Sequence, residues 1–83
     1  MNHQPELTVS PKEVPRNATI TVRSVAPNFP QPFYTITDEN GRVIRKGSVS
    51  ERVSEFRLSM VGLATGAYHF TMGQVRQRFT IIL

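Results

Sequence analysis

This chain of 83 residues contains no cysteine, and its ten basic and six acidic side chains give a net charge of +4. A chain this short predicts one domain, the lack of cysteine excludes disulfides and thiolate metal sites, and no apolar run approaches the roughly 20 residues of a membrane-spanning helix. The basic residues are scattered, which favours an ordinary soluble surface over a patch for an acidic partner.

All six prolines of the chain lie within the first 32 residues. Residues 1–6 predict a flexible tail or linker remnant. Residues 1–15 are polar and rich in proline and lack the features of a signal peptide. Residues 7–9 predict a short first strand, because prolines follow closely and cannot donate to a ladder. Thr19–Arg23 alternates apolar and polar side chains as a second strand. Residues 26–32 contain three prolines and predict a loop.

The rest of the chain predicts tightly turned β-structure, and all five glycines lie in it. Residues 33–37 and 42–46 predict a hairpin around Asn40-Gly41, where glycine supplies the positive φ of a tight turn. Residues 48–54 are polar and predict a loop or a weak edge strand. Three further strands are predicted from period-two alternation, over residues 55–59, over residues 67–72 and from residue 75 onwards.

About seven short strands with turns about every 8–12 residues are typical of an immunoglobulin-like antiparallel β-sandwich. We therefore predict that residues 7–83 form a single all-β domain of this class. The inward positions of the strands predict its core: Ile20, Val22, Tyr34, Ile36, Phe56, Leu58, Leu63, Tyr68, Phe70, Phe79 and Ile81. The chain ends within an apolar strand that carries Arg76 and Arg78 as gatekeepers. We expect this strand to be integral to the sheet and Leu83 to be the C-terminus of the protein.

No pattern of residues indicates catalysis or a cofactor site. His69 alternates with core positions and is expected at the surface, and one ordered histidine cannot build a zinc site. Asp38–Gly41 superficially matches a calcium loop but lacks the further oxygen ligands, so we interpret it as a hairpin turn. The sequence has no nucleophile elbow, catalytic triad or glycine-rich phosphate loop. We therefore expect that the protein is not an enzyme and uses neither a metal nor a cofactor.

Aromatic residues with arginines nearby offer a route to nucleic-acid binding, as a platform on which bases stack. The residues concerned are Phe33, Tyr34, Tyr68, Phe70 and Phe79. A sandwich this small has to bury its aromatic side chains to form a core, and this interpretation is favoured. We therefore predict no nucleic-acid partner; the contrary hypothesis predicts an affinity that falls steeply with salt.

The order of turns and strands from Tyr34 onwards carries a family resemblance. The turn Asp38-Glu39-Asn40-Gly41-Arg42 is followed by Phe56-Arg57-Leu58-Ser59, by Leu63-Ala64-Thr65-Gly66-Ala67-Tyr68 and by a basic and apolar last strand. This series resembles the C-terminal sorting domain of cargo proteins of the type IX secretion system (Por secretion system) of Bacteroidetes. The chain departs from the family at Ser10–Pro15, which lacks the usual Pro-Asn-Pro, and at its end, where arginine replaces lysine.

The resemblance implies a secretion signal. The domain would direct an exported passenger protein, attached upstream, through the periplasm to the outer membrane and the cell surface. The implied partners are the outer-membrane translocon or its shuttle protein, a sortase and anionic lipopolysaccharide. The residues expected to carry recognition are Asp38, Gly41, Arg42, Gly66, Tyr68, Arg76 and Arg78.

The alternative is a generic accessory sandwich with an adhesive or structural protein-binding role. Such domains use the same Asp-x-x-Gly turn and Leu-x-x-Gly-x-Tyr corner for structural reasons. The parent gene separates the two, because an accessory domain would be followed by more chain. In either case, exposed strand edges predict weak homodimerisation by strand-edge pairing.

Overall fold

The computed structural model describes residues 7–24, 32–49 and 54–83, and these residues form strands and no α-helix. The predicted tail, most of the predicted loop over residues 26–32, and residues 50–53 lie outside the described ranges. The described part of the chain contains no helix that is long and apolar enough to cross a membrane. Its strands are β1 (Leu7–Ser10), β2 (Glu13–Pro15), β3 (Thr19–Ser24), β4 (Phe33–Asp38), β5 (Val43–Ser48), β6 (Glu55–Ser59), β7 (Gly66–Met72) and β8 (Val75–Ile82).

Two sheets pack face to face as a β-sandwich. The smaller sheet has the order β1-β3-β6, and the larger has the order β2-β8-β7-β4-β5. Neighbouring strands are antiparallel except β2 and β8, which run parallel with Glu13 opposite Thr80. The predicted fold class is therefore confirmed, with one strand more than expected and one parallel pair that the sequence did not predict.

The additional strand, β2, arises because the chain changes sheets after β1. The N–H of Thr80 donates to the carbonyl oxygen of Lys12 at 2.7 Å, and the N–H of Arg16 donates to that of Ile82 at 2.7 Å. Pro15 is tolerated between them because β2 lies at the sheet edge, where a missing N–H breaks no ladder. The beginning and the end of the described chain are thus joined by backbone hydrogen bonds.

The core lies between the sheets and follows the predicted alternation. Its buried apolar side chains are Leu7, Val9, Val14, Ile20, Val22, Ile36, Met60, Tyr68, Phe70, Met72, Phe79 and Ile81. Four residues predicted for the core are instead half-buried and pack against this cluster: Tyr34, Phe56, Leu58 and Leu63. The residues that the prediction omitted are Leu7 and Val9 of β1, Val14 of β2, Met60, which follows β6, and Met72, which ends β7.

Stacked rings fill much of the space between the sheets. The ring of Tyr34 lies 5.4 Å from that of Phe70 and 5.7 Å from that of Phe56, centroid to centroid. The rings of Tyr68 and Phe79 stack at 5.8 Å. These spacings are typical of favourable aromatic pairs. The aromatic residues of the described ranges therefore serve the core, as predicted, except Phe33, which is 65% exposed on the outside of β4.

Candidate recognition surface

The last hairpin, β7–β8, carries two arginines on its outward side. Arg76 lies opposite Thr71 and Arg78 lies opposite His69, in the antiparallel register of these strands. Both arginine side chains are exposed, whereas Phe79 and Ile81 of the same strand are buried. Because successive side chains of a strand point to opposite faces, the burial of Phe79 and Ile81 holds both arginines on the solvent side of the sheet.

Strand pairing extends this arginine pair into a larger surface. Thr71 of β7 lies opposite Thr35 of β4, which lies opposite Lys46 of β5, so one row crosses four strands from Arg76 to Lys46. Strands are spaced about 4.8 Å apart, which places the ends of this row about 14 Å apart. We call the outer side of these strands the basic face and define it by Lys46, His69, Arg76 and Arg78.

No carboxylate among the described residues forms an ion pair within 4 Å with a member of the basic face. Among residues 7–24, 32–49 and 54–83, the ion pair within 4 Å joins Arg23 and Glu55, at 2.8 Å on the other sheet. Two acidic residues of the larger sheet lie near this face in register: Glu13 of β2 lies opposite Thr80, two residues from Arg78, and Asp38 of β4 lies opposite Tyr68, which precedes His69. The basic face is therefore available to an acidic partner, and its attraction would be strongest at low salt.

His69 is the member of the basic face that can change its charge near neutral pH. Nη2 of Arg76 lies 3.4 Å from Nδ1 of His69. Partial burial, together with the charges of Arg76 and Arg78, lowers the pKa of His69 below its ordinary value of 6.5. The imidazole is therefore neutral at pH 7, and the lone pair on its Nδ1 atom can accept a hydrogen bond from the guanidinium of Arg76.

Three predicted recognition residues form the turn between β4 and β5. Oδ1 of Asp38 accepts hydrogen bonds from the backbone N–H groups of Asn40 at 2.9 Å and Arg42 at 3.0 Å. Gly41 has φ of 84°, the left-handed conformation that glycine adopts most readily. Asp38 and Gly41 thus have clear roles in shaping the turn, whereas the Arg42 side chain is exposed to solvent.

Gly66 and Tyr68 form a second structural unit, where the chain enters β7. The hydroxyl of Tyr68 donates to the carbonyl oxygen of Ala64 at 2.6 Å, and the residue is only 6% exposed. This is the tyrosine corner found in immunoglobulin-like sandwiches. Gly66 between them has φ of 147°. Both residues are explained by the fold without any partner.

The structure divides the predicted recognition residues into two groups. Tyr68 lies opposite Asp38, so the corner and the β4–β5 turn occupy the same end of the larger sheet. Arg76 and Arg78 form the second group on the outer face of β8. Sequence reasoning missed Lys46 and assigned His69 only a surface role. Alternation predicted an outward position for His69 but not for Lys46, and only the strand order and register show that both share a face with the two arginines.

Comparison with models of known protein families gives no match. Comparison with curated proteins finds no significantly similar sequence. The family resemblance therefore rests on the sequence motifs alone.

Proposed function

We propose that this domain is a C-terminal sorting module of the type IX secretion system, which directs an exported passenger protein to the cell surface. The observation that supports this proposal best is the exposed pair Arg76 and Arg78. Strand β8 lies between β2 and β7, so its backbone is held on both sides. A component of the outer-membrane translocation machinery with an acidic surface can read such a rigid pair by charge and by shape.

The turn and corner residues support the proposal less strongly. Asp38, Gly41, Gly66 and Tyr68 each have a local structural role. Unrelated sandwiches need the same residues for the same reasons. The tyrosine corner therefore favours a second candidate function, in which the domain is an accessory protein-binding sandwich and does not act as a secretion signal.

A reporter experiment separates recognition from folding. Residues 7–83 are fused behind an exported reporter in a bacterium that has type IX secretion, and surface display is compared with periplasmic retention. The test variant is Arg76→Ser with Arg78→Ser. The matched control is Arg16→Ser with Arg57→Ser, which removes the same charge from exposed positions away from the basic face. Substitutions at exposed sites change stability by no more than about 0.5 kcal/mol, so the melting temperatures should agree.

The proposal predicts that display falls in the test variant while the control behaves as the unmodified domain. Equal losses in both variants would mean that the machinery responds to net charge and not to the basic face. Normal display of the folded test variant would show that the machinery does not recognise the arginines of β8. The hairpin of residues 38–46 would then be the next candidate for the recognised element. Failure of the unmodified domain to export the reporter would favour the accessory sandwich.

A further inference from the structure

Strand β5 forms one edge of the larger sheet and has six residues, against three to five in the edge strands β1, β2 and β6. The N–H of Val49 donates to the carbonyl oxygen of Pro32 at 2.8 Å. In an antiparallel pair, residues that bond to the partner strand alternate with residues that do not. Val49 and Gly47 therefore belong to the residues that bond toward β4. Lys46 and Ser48, which alternate with them, direct their N–H and C=O groups away from β4, toward the side where no other described strand lies.

Two open clefts lie along this edge, and the cross-strand pair Thr35–Lys46 lines both of them. One cleft of about 430 Å³ extends toward Phe33 and Ser48. The other, of about 450 Å³, extends toward Val43 and Ile44. Side chains of an added strand would alternate between the two faces of the sheet, so residues two apart on that strand would reach successive positions along the clefts.

Lys46 is the cation that an added strand would meet. The neighbouring Arg45 points inward, where its guanidinium donates to the carbonyl oxygen of Ser59 at 2.6 Å and to that of Val61. The side chain of Lys46 is exposed on the outer face, between the two clefts. A carboxylate directly opposite Lys46 would form a favourable cross-strand pair, whereas a second cation there would be repelled.

A second copy of the chain is a poor occupant of this edge. Pairing two β5 strands about a two-fold axis at Lys46 would set two lysines opposite each other, and each copy also carries a net charge of +4. Lysine on an edge strand is a known device against self-association. The same charge that opposes a second copy attracts an acidic strand.

We propose that the β5 edge binds an extended acidic peptide by antiparallel strand addition, with the pattern apolar-x-acidic-x-apolar. The acidic residue pairs with Lys46 on the outer face, and the apolar residues on either side cover the two clefts. The main-chain hydrogen bonds to Lys46 and Ser48 supply affinity, and the clefts and the lysine supply specificity, as in other domains that bind by strand addition. The β5 edge is separated from β8 by strands β7 and β4. The proposed binding of a peptide there does not depend on the sorting function.

The probe is a fluorescein-labelled peptide, Thr-Val-Thr-Asp-Thr-Val-Thr, titrated with the whole 83-residue chain by fluorescence anisotropy. The control peptide carries lysine in place of the aspartate and should bind at least about fivefold more weakly, because attraction is replaced by repulsion. A third peptide has a methyl group on the amide nitrogen of the aspartate. This change removes the donor that faces the carbonyl oxygen of Lys46, and binding should be lost. Amide resonances of Lys46 and Ser48 should shift on binding of the first peptide.

Two charge reversals complete the test. Lys46→Glu should reverse the preference between the aspartate and lysine peptides. Arg57→Glu makes the same charge change at an exposed position of the other sheet and should keep the original preference. Circular dichroism establishes that both variants are folded, and if Lys46→Glu is not, Lys46→Ser replaces it and should abolish the preference.

The proposal is overturned if the methylated peptide binds as tightly as the first one, or if the preference persists in Lys46→Glu. It is also overturned if the resonance shifts centre on Arg76 and Arg78, which would assign the peptide to strand β8 and not to the β5 edge. Sedimentation velocity tests whether a second copy of the chain binds this edge instead of a peptide. A concentration-dependent dimer that shifts the resonances of Lys46 and Ser48 would assign the edge to a second copy of the chain.

Discussion

The ring of Tyr34 lies against Gly47 on the neighbouring strand, so closely that a Cβ atom at position 47 would be 2.5 Å from the tyrosine hydroxyl oxygen and 2.7 Å from ring atom Cζ. Glycine within a strand usually weakens it. Here the missing side chain makes room for a ring that stacks on Phe56 and Phe70 between the sheets. The contributions of the two residues to stability should therefore be coupled, and a double-mutant cycle can measure the coupling.

We expect Gly47→Ala to destabilise the domain by about 1–3 kcal/mol, because the added methyl group overlaps the Tyr34 ring and overpacked sites cost that much. In a Tyr34→Leu background the ring is absent, and the same substitution should cost much less. Urea denaturation of the two single variants and the double variant measures this coupling. Additive costs would show that the glycine is needed for some reason other than the tyrosine.

Gly41 and Gly66 are needed for a different reason, since a Cβ atom at either position would meet no atom within 4 Å. Both have positive φ, at 84° and 147°. Replacing either glycine with valine should cost at least about 1 kcal/mol, because β-branched residues are strained in such conformations. Unchanged denaturation midpoints in both variants would contradict the requirement for glycine.

Tyr68→Phe removes one hydroxyl and retains the buried ring. The lost hydrogen bond to the carbonyl oxygen of Ala64 should cost about 1 kcal/mol, the usual net value of such a bond. Tyr68→Leu should cost more, since it also removes the stacking on Phe79. Thermal unfolding of the two variants compares these effects, and a phenylalanine variant as stable as the original would mean that the corner is held by the ring alone.

His69 makes stability depend on pH in a definite direction. Its pKa in the folded domain is lowered, so the unfolded chain binds the proton more readily. The contribution of this residue to stability is complete above pH 6.5 and is lost as the pH falls through the lowered pKa. Arg76→Ser with Arg78→Ser should raise the pKa toward 6.5, and Arg16→Ser with Arg57→Ser should leave it unchanged. An NMR titration of the ring protons measures both, and an unchanged pKa in the first variant would assign the whole shift to burial.

Local pattern predicted every described strand except β2, because alternation within a strand is visible without its partner. Alternation around Ile20 and Val22 and around Phe79 and Ile81 needs no knowledge of the partner strand. Phe33 shows the limit of this reasoning: it precedes Tyr34 on β4, so only one of the two can face the core, and Tyr34 does.

Long-range pairing accounts for what the sequence did not predict. Strand β2 has a single buried apolar residue, Val14, and pairs with residues near the other end of the chain. Nothing in the local pattern of Glu13–Pro15 indicates that partner. The basic face was missed for the same reason, because Lys46 and Arg76 come to one surface only through the order of four strands.

The parallel pairing of β2 with β8 also bears on how the domain is made. Synthesis proceeds from the N-terminus, so β2 emerges early and has to wait for the last strand before it has a sheet partner. Contacts between such distant segments form slowly. A chain whose translation stalls before residue 75 has β2 unpaired and one edge of β7 open, and its Tyr68 lacks the ring of Phe79 on which it stacks. Incomplete chains are therefore expected to become substrates for chaperones and proteases and not smaller versions of the same domain.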